Sequence, residues 1–488
     1  MKSLLFLLAA ALSGLIGPGS SAQTIAGYGP LAITQVTVID ATGKPAKAQQ
    51  TVVLAGGRIV AAGPSAEVKL PAGARVIDGS GKFLIPGLWD MHVHIAGINA
   101  DPAWSKTVLL PLLIANGITG VRDMGGDLSA LQAWRQQIES GALLGPHLVM
   151  GGPMLVRGGK RSADQYPVAN PNEARAAVRE LKQQGADFIK IISLPSREAF
   201  FAVAEEAKKQ GLPFVGHVPA VVTAAEASDA GMKSIEHVVY SGLAFDCSSR
   251  EEELRKAARE ASAKRDQKAS AQIFLDAIAS YSPEKAAALW ARFKRNSTWV
   301  VPTLYSISRI APRALSAEQQ ARDPELEFVP EKLRKDWNPL VPENQSSQEE
   351  RDWWARQFAN DTKLTAEMHR AGVHMLAGSD SLDRFVFPGS SLQGELELLQ
   401  EAGFSPMEAL QSATRDAAQF LGREGEFGTV QPGLRADLVL LDANPLETIA
   451  NVRKINAVIR AGNYLDRAAL DRLLLQAKAA AKSASVKE

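Results

Sequence analysis

Short apolar segments alternate with helical stretches through most of this chain, and this alternation constrains the fold more than any other feature. Parallel strands need a crossover connection, which is usually a helix, so the pattern is typical of a parallel sheet. Eight such segments predict a (β/α)8 TIM barrel, in which functional side chains gather at the carboxyl ends of the strands. The candidate strands are Leu84–His94, Ile118–Met124, His147–Gly151, Phe188–Ile192, Phe214–Val218, Ser234–Val238, Trp299–Leu304 and His374–Asp380.

Both ends of the chain have a different sequence pattern, in which runs of β-branched residues alternate with turn-forming residues. Near the amino end, Gly56-Gly57 predicts a hairpin turn between two strand candidates. The same pattern returns in Asp437–Asp442 and Ala457–Arg460, so we expect one small β-sandwich domain built from both termini. The predicted divisions are a signal peptide at 1–22, sandwich strands at 23–84 and 425–464, the barrel at 85–424, and a C-terminal helix and tail at 465–488.

Two charged, alanine-rich insertions interrupt the barrel pattern after the sixth and seventh candidate strands, at residues 251–297 and 312–356. They are interpreted either as solvated helical decoration or as a lid, because insertions in βα loops lie on the active face of a barrel. Apolar residues at 273–278 leave a homo-oligomer open, although core packing explains them equally well.

The first 22 residues are typical of a secretory signal peptide. Lys2 gives the positive start, Leu4–Ile16 forms the apolar core, and Ser20-Ser21-Ala22 offers small residues for cleavage near Ala22. The apolar core is too short to span a bilayer, so we expect no stable membrane anchor. The predicted location is secreted and periplasmic.

Charge and cysteine content exclude several classes of function. The formal net charge is +1 and basic residues form no stripe, which argues against nucleic acid as a partner. Cys247 is the only cysteine, so the chain has neither an intrachain disulfide nor a thiolate zinc site. We expect a small-molecule substrate.

Two histidines, His92 and His94, end the first candidate strand. Side chains at i and i+2 of a strand point to the same face, so both imidazoles aim at one point. Neutral imidazole is the commonest metal ligand, and a pair of them supplies half of a catalytic cage. The other strand ends of the predicted barrel carry four more polar candidates, which should converge on the same rim: Lys190, His217, His237 and Asp380.

Lys190 closes an apolar strand, where an ammonium group is costly to bury. The lysine therefore needs either a carboxylate partner or a changed chemistry. If it is deprotonated and carboxylated by carbon dioxide, it becomes a carbamate whose two oxygens can bridge two cations.

Several motifs resemble the amidohydrolase superfamily, and in particular its imidazolonepropionase-like and prolidase-like branch. They are Leu84-Ile-Pro-Gly-Leu-Trp-Asp-Met-His-Val-His94, Gly117-Ile-Thr-Gly-Val-Arg-Asp-Met-Gly-Gly126, Ala377-Gly-Ser-Asp380, and the closing segment Gly425–Asp442. The resemblance covers nearly the whole mature chain.

The resemblance implies a binuclear metal site. One ion would be held by His92, His94 and Asp380, and the other by His217 and His237, with carboxylated Lys190 bridging both. Zinc is the expected metal, and manganese or cobalt also suits these nitrogen and oxygen ligands. A bridging hydroxide would attack a carbonyl carbon, and Asp380 would pass a proton to the leaving amine.

The implied activity is hydrolysis of an amide bond, in a dipeptide or an N-acyl amino acid. A lactone, ester or cyclic amide hydrolase and a one-metal deaminase stay open as alternatives, and a non-catalytic scaffold is disfavoured because all six ligand candidates are present. Tyr240 is a candidate oxyanion donor. Prolidase-like relatives often carry Gly-Gly-His after the third strand, whereas this chain has Gly158-Gly-Lys160; Arg157 or Lys160 could instead bind a substrate carboxylate.

Overall fold

A computed structural model describes residues 29–97, 100–310, 317–341 and 346–483. The predicted signal peptide at 1–22 and the last five residues of the tail lie outside these described residues, so export stays a prediction. Among the described helices, none combines the length and the apolar composition needed to cross a membrane.

Both ends of the chain supply strands to one eight-stranded sheet, in the order β17-β16-β15-β5-β1-β2-β3, with β4 paired to β1. The sheet is continuous, so the two-layer division of the predicted sandwich stays a prediction. Its strands are β1 (Leu31–Val38), β2 (Lys47–Ala55), β3 (Arg58–Pro64), β4 (Arg75–Asp78), β5 (Phe83–Pro86), β15 (Leu438–Leu441), β16 (Ile455–Arg460) and β17 (Asn463–Asp466).

The two chain ends join where β15 pairs antiparallel with β5, from Leu438 opposite Pro86 to Leu441 opposite Phe83. The sheet also curls back on itself, because Ile59 N–H donates to the Leu434 carbonyl at 2.9 Å. Side chains from both chain ends fill the enclosed space and form a buried apolar cluster that is separate from the main core. Burial of this shared cluster holds the termini together.

The middle of the chain forms two sheets in which every strand pairing is parallel. The first has the order β6-β7-β8 and the second the order β10-β9-β11-β12-β13-β14. The strands are β6 (Leu88–Val93), β7 (Ile118–Asp123), β8 (His147–Met150), β9 (Met154–Arg157), β10 (Gln165–Val168), β11 (Ile189–Ile191), β12 (Phe214–Gly216), β13 (Ser234–Glu236) and β14 (Trp299–Val301).

The eighth candidate strand, His374–Asp380, is not a regular strand, and this part of the prediction was wrong. Side-chain hydrogen bonds replace part of the ladder, since the Ser379 N–H donates to Asp90 Oδ1 at 2.9 Å. The segment nevertheless lies between β14 and β6: Leu376 N–H donates to the Val300 carbonyl, and Met91 N–H donates to the Ala377 carbonyl, both at 3.0 Å. These links favour the closed barrel, which stays a prediction.

Helices connect the parallel strands and begin at side-chain caps. Asp127, Asn170 and Ser196 each accept hydrogen bonds from backbone N–H groups of the helix that follows. The helices are α1 (Pro102–Trp104), α2 (Leu110–Ala115), α3 (Leu128–Glu139), α4 (Pro171–Gln183), α5 (Arg197–Gln210), α6 (Ala224–Asp229), α7 (Leu243–Asp246), α8 (Glu251–Lys264), α9 (Gln267–Ala279), α10 (Pro283–Asn296), α11 (Leu304–Ile310), α12 (Ala317–Ala321), α13 (Glu331–Trp337), α14 (Gln348–Arg370), α15 (Ser390–Glu401), α16 (Pro406–Ser412), α17 (Arg415–Leu421) and α18 (Arg467–Ser483), with a π-helix at Ser105–Leu109 and 3₁₀ helices at Pro324–Phe328 and Ile449–Arg453.

The first predicted insertion folds as α8, α9 and α10. Its apolar face packs within the chain, because Ile273, Phe274 and Ile278 contact a small cluster that contains Leu254 and Ala277. Core packing therefore accounts for these residues without a second copy of the chain. The second insertion contains short helices and the first part of α14. A lid role for either insertion stays a prediction.

A buried ion pair connects the β-domain to the barrel strands. The Asp437 carboxylate lies 2.8 Å from His147 Nε2, at the start of β8, and 3.2 Å from Arg460 Nη1 on β16. The Ala461 N–H also donates to this carboxylate at 2.7 Å. Burial alone would raise the pKa of Asp437, but Arg460 and His147 more than offset burial and lower it.

We expect Asp437→Asn to destabilise the fold by about 3–5 kcal/mol, because Arg460 would be left buried beside a neutral amide. Since the pKa of Asp437 is lower in the folded protein than in the unfolded chain, this stabilisation is present above about pH 4 and is lost as the pH falls further. Urea unfolding of wild type and variant between pH 7 and pH 3 measures both effects.

The exposed pair of Arg467 and Asp471 provides a control, and Asp471→Asn should leave the unfolding midpoint unchanged. Equal unfolding midpoints for wild type and Asp437→Asn at pH 7 would contradict the prediction.

Candidate metal centre

Asp380 brings together predicted ligands from different strands. Its Oδ1 atom lies 3.3 Å from His92 Nε2 and 3.5 Å from His94 Nε2, and its Oδ2 atom lies 3.8 Å from His237 Nδ1. Ligand atoms of His92, His237 and Asp380 all lie within 4.8 Å of one another, and the three residues are buried. Imidazoles grouped with a carboxylate in this way have the donor set of a divalent cation site.

His217 and Tyr240 adjoin this cluster on the side of His237. The ring centroid of His237 lies 4.9 Å from that of His217 and 4.6 Å from that of His92. Tyr240 stacks on His217 with 5.7 Å between centroids, and its side chain is 41% exposed. The structure therefore places the predicted oxyanion donor at the rim, next to two predicted ligands.

The backbone of two candidates is in the left-handed region, with φ of 61° at His237 and 60° at Asp380. Residues with a Cβ rarely adopt this conformation, and it is concentrated at functional sites where surrounding contacts hold it. Here the His237 N–H donates to the Val301 carbonyl at 2.9 Å and the Asp380 N–H donates to the His92 carbonyl at 2.8 Å. Hydrogen bonds to β14 and β6 therefore fix the backbone from which the side chains of His237 and Asp380 project.

Lys190 lies in the middle of β11 and is fully buried. Its Nζ atom has no hydrogen-bond partner among the described residues. Burial is the main cause that lowers its pKa to about 8, against the opposing charges of Glu236 and Asp380. An amine that is buried, unpartnered and more easily deprotonated than usual fits the carbamate that the sequence predicts.

Hydrogen bonds orient the rings of the His-x-His pair. His92 Nδ1 lies 2.8 Å from Glu236 Oε2, and His94 Nδ1 lies 3.1 Å from the Gly125 carbonyl oxygen. A carboxylate and a carbonyl only accept, so each Nδ1 carries a proton, and Nε2 is the ring nitrogen that faces Asp380 and could bind a metal ion. Burial would lower the pKa of His94, but the hydrogen bond and charge of Asp380 raise it.

The remaining histidines are also suited to be ligands. His237 Nδ1 lies 2.6 Å from Thr303 Oγ1, and that hydroxyl donates to the Pro302 carbonyl at 2.7 Å. The threonine hydroxyl therefore accepts from His237, which leaves the other ring nitrogen free. Burial lowers the pKa of His92, His217 and His237 well below its usual value, so these imidazoles stay neutral and able to coordinate.

Glu236 is a buried residue of the site that the sequence analysis missed. It is paired with Arg122, whose Nη2 atom lies 2.8 Å from Oε1. Asp123, the next residue along β7, accepts instead from the N–H groups of Ile95 and Gly125. The signal that could have identified Glu236 is its position, because a carboxylate inside an apolar strand needs a buried partner.

Asp90 is a second buried carboxylate that the sequence analysis missed. It accepts from the Ser379 hydroxyl at 2.6 Å and from the His92 N–H at 3.2 Å. Burial raises its pKa to about 7. Because it bonds to residues beside both His92 and Asp380, Asp90 connects the segments that carry these two candidate ligands.

The structure does not bring Arg157 and Lys160 into the ligand cluster. Both are exposed, at the end of β9 and in the loop that follows it. A cavity of about 110 Å³ adjoins the cluster, and neither residue lines it. A larger cavity of about 530 Å³ lies among the short helices of the second insertion, and no predicted ligand contributes to it. The smaller cavity is lined by His94, Gly97, Gly125, Met154, Asp164, Leu382 and Asp383.

The three histidines outside the predicted ligand set have other partners, in agreement with a structural role. His147 bonds to Asp437, His369 stacks on Phe404 and His374 stacks on Trp299.

The profile of the Amidohydrolase family matches residues 83–246 and 298–465, which include every predicted ligand. The chain belongs to the amidohydrolase family. The gap in the match corresponds closely to the first insertion, α8 to α10. As members of this family, such chains are hydrolases that typically use divalent metals, in agreement with the ligand cluster.

Known relatives of this amidohydrolase share its fold at low sequence identity. Ochratoxinase from Aspergillus niger is 23% identical over 77% of this chain and 73% of its own length. A solved structure of a Xaa-Pro dipeptidase with bound methionine has a TM-score of 0.65 and 22% identity, covering 90% of this chain and 100% of the other. Bottromycin amidohydrolase has a TM-score of 0.69 and 22% identity, covering 94% and 92%. These relatives support a barrel with an attached β-domain.

We expect Lys190→Ala to lower the metal content of the purified protein, because the variant lacks the only amine in the cluster that can carry a carbamate. Short carboxylic acids should restore part of the metal content by replacing the bridge. Elemental analysis of dialysed protein measures the ions per chain.

The exposed Lys182 on α4 supplies the matched control, and Lys182→Ala should bind metal like wild type. Two ions per chain and full activity in Lys190→Ala would rule out the carbamate.

Proposed function

We propose that this amidohydrolase is a binuclear, metal-dependent enzyme that cleaves an amide bond. The observation that carries the proposal is the buried, unpartnered Lys190 amine, on which the charges of Glu236 and Asp380 act. In this assignment His92, His94 and Asp380 would hold one divalent ion, His217 and His237 would hold the other, and carboxylated Lys190 would be shared by both. Zinc is the proposed metal, with manganese or cobalt as substitutes.

When bound, the ions would polarise the substrate carbonyl and make an attacking water acidic. Asp380 has the position to accept the proton of that water, since its two oxygens face His92, His94 and His237. The same carboxyl group then delivers the proton to the leaving amine, as a general base that becomes a general acid. The water oxygen ends on the acyl product and the proton on the amine.

Tyr240 is proposed to donate its phenolic hydrogen to the oxygen of the tetrahedral intermediate. Burial of its hydroxyl and the charges of Asp383, Asp380 and Asp361 raise its pKa. The phenol therefore stays protonated at neutral pH and can act as a donor. Its position over His217, at the exposed rim of the cluster, is where a substrate carbonyl would approach.

The proposed substrates are dipeptides or N-acyl amino acids. The names of two relatives, a Xaa-Pro dipeptidase and a bottromycin amidohydrolase, support amide chemistry on this fold. The cavity beside His94 has two carboxylates in its wall, Asp164 and Asp383, which would repel a substrate carboxylate. We therefore place the carboxylate end of the substrate toward the exposed Arg157 and Lys160, which form no ion pair with a described residue.

A screen of the zinc-loaded protein against dipeptides and N-acyl amino acids tests this function. We expect wild type to release free amino acid, and Asp380→Asn to lose about 10²- to 10⁴-fold in turnover because it cannot accept the proton. Metal content is measured in parallel to separate loss of chemistry from loss of ions. Silence across these amides with two ions bound would shift the assignment to lactones or esters, which a second panel tests.

Substitution of Tyr240 by Phe tests the proposed oxyanion contact. We expect a loss of about 100- to 1000-fold in kcat with little change in metal content, because the hydroxyl bonds more strongly in the transition state. Tyr464→Phe in the β-domain is the matched control and should have wild-type kcat. A Tyr240→Phe enzyme with unchanged kcat would show that the ring only packs on His217.

A further inference from the structure

Arg122 and Glu236 form an ion pair that is completely buried between β7 and β13. The guanidinium Nη2 lies 2.8 Å and 2.9 Å from the two carboxylate oxygens. Both side chains are at most 1% exposed. Ionised groups pay a large desolvation penalty at such a depth, so a pair there needs further contacts to be retained.

Two further contacts of the pair hold His92 and the residue directly before it. Glu236 Oε2 accepts from His92 Nδ1 at 2.8 Å, and Arg122 Nε donates to the carbonyl of the preceding residue, Met91, at 2.7 Å. One partner therefore holds the imidazole ring and the other holds the backbone directly before it. Ser234 also bonds to both members of the pair.

Aromatic rings restrict the guanidinium as well. The Arg122 guanidinium carbon lies 4.9 Å from the centroid of Phe420 and 5.7 Å from that of Phe188. Planar cations stack favourably on such faces. A guanidinium confined in this way holds the Glu236 carboxyl group in one orientation.

We propose that Arg122 and Glu236 are a positioning pair that fixes the ring and the tautomer of His92 for metal binding. This inference rests on the proposed function of the site as a metal centre. Glu236 accepts from Nδ1 and so leaves Nε2 available to a metal ion, and Arg122 holds the Glu236 carboxyl group in place. Neither residue touches the reacting atoms.

A purely structural role of Arg122 and Glu236 predicts an effect on stability and none on metal affinity. A pair that only ties β7 to β13 would affect stability, and the affinity for metal of the molecules that do fold would stay the same. The two roles can therefore be separated by measuring metal binding on folded protein, independently of activity.

The test compares wild type, the single variant Glu236→Gln, and the double variant Arg122→Met/Glu236→Gln. The double variant removes both charges of the pair, so neither of them is left buried alone. Metal-free protein is titrated with Zn²⁺ against a chromophoric chelator, and the visible spectrum of the Co²⁺-loaded protein reports ligand geometry. We expect both variants to bind at least one ion about 10- to 100-fold more weakly, with an altered Co²⁺ spectrum.

Asp246→Asn is the matched control, because Asp246 forms a similarly buried pair with Arg255 at 2.7 Å and bonds to no predicted ligand. It should bind Zn²⁺ like wild type. If Glu236→Gln does not fold, the double variant decides the question alone. A folded double variant with wild-type affinity and spectrum would overturn the positioning role, whereas a wild type that binds no Zn²⁺ would instead refute the proposed metal centre.

Discussion

The cost of burying charge beneath the strand ends is the constraint on which this site depends. Lys190, Asp90 and the pair of Arg122 and Glu236 are all fully or almost fully buried, where ionised groups survive only with close partners. The carboxylates of Asp90 and Glu236 bond to His92 or to residues beside the candidate ligands, so the contacts that allow their burial also hold candidate ligands in place. Lys190 is the exception, since its amine has no such partner among the described residues. The buried groups beneath the candidate ligands therefore determine the arrangement of the site.

Much of this arrangement could be predicted from the sequence. The βα pattern predicts that the six ligand candidates meet on one rim of a barrel, and the structure groups five of them: His92, His94, His217, His237 and Asp380. The prediction failed where side chains replace backbone bonds, as in the eighth strand, where Asp90 takes the Ser379 N–H out of the ladder. It also missed Glu236, since an acidic residue within a short apolar strand carries no periodic signal. The pairing of Arg122 with Glu236 could not be predicted from neighbouring residues, because the two are 114 positions apart in the chain.

The proposed substrate contacts have a different structural setting from the candidate metal cluster. The cluster lies on strand ends and is braced by buried hydrogen bonds, whereas Arg157 and Lys160 lie at an exposed strand end and in the loop after it. Loops tolerate sequence change because few buried contacts constrain them. Identities of 22–23% to the relatives described above indicate the fold but do not determine the substrate. The chemistry of the centre and the choice of substrate can thus vary separately within this family.

The pairing of β15 with β5 has a consequence for how the molecule is assembled. Besides β1, β5 pairs with β15, where Pro86 lies opposite Leu438, so the strand ladder of the β-domain closes a loop that contains β6 to β14. During synthesis, the amino-terminal strands must wait with an unpaired edge until the carboxyl end emerges from the ribosome. Contacts so distant in sequence form slowly, and waiting edges invite association between chains. A chain that stops before Leu438 would keep the β5 edge unpaired, so it would carry a permanent site for association with other chains.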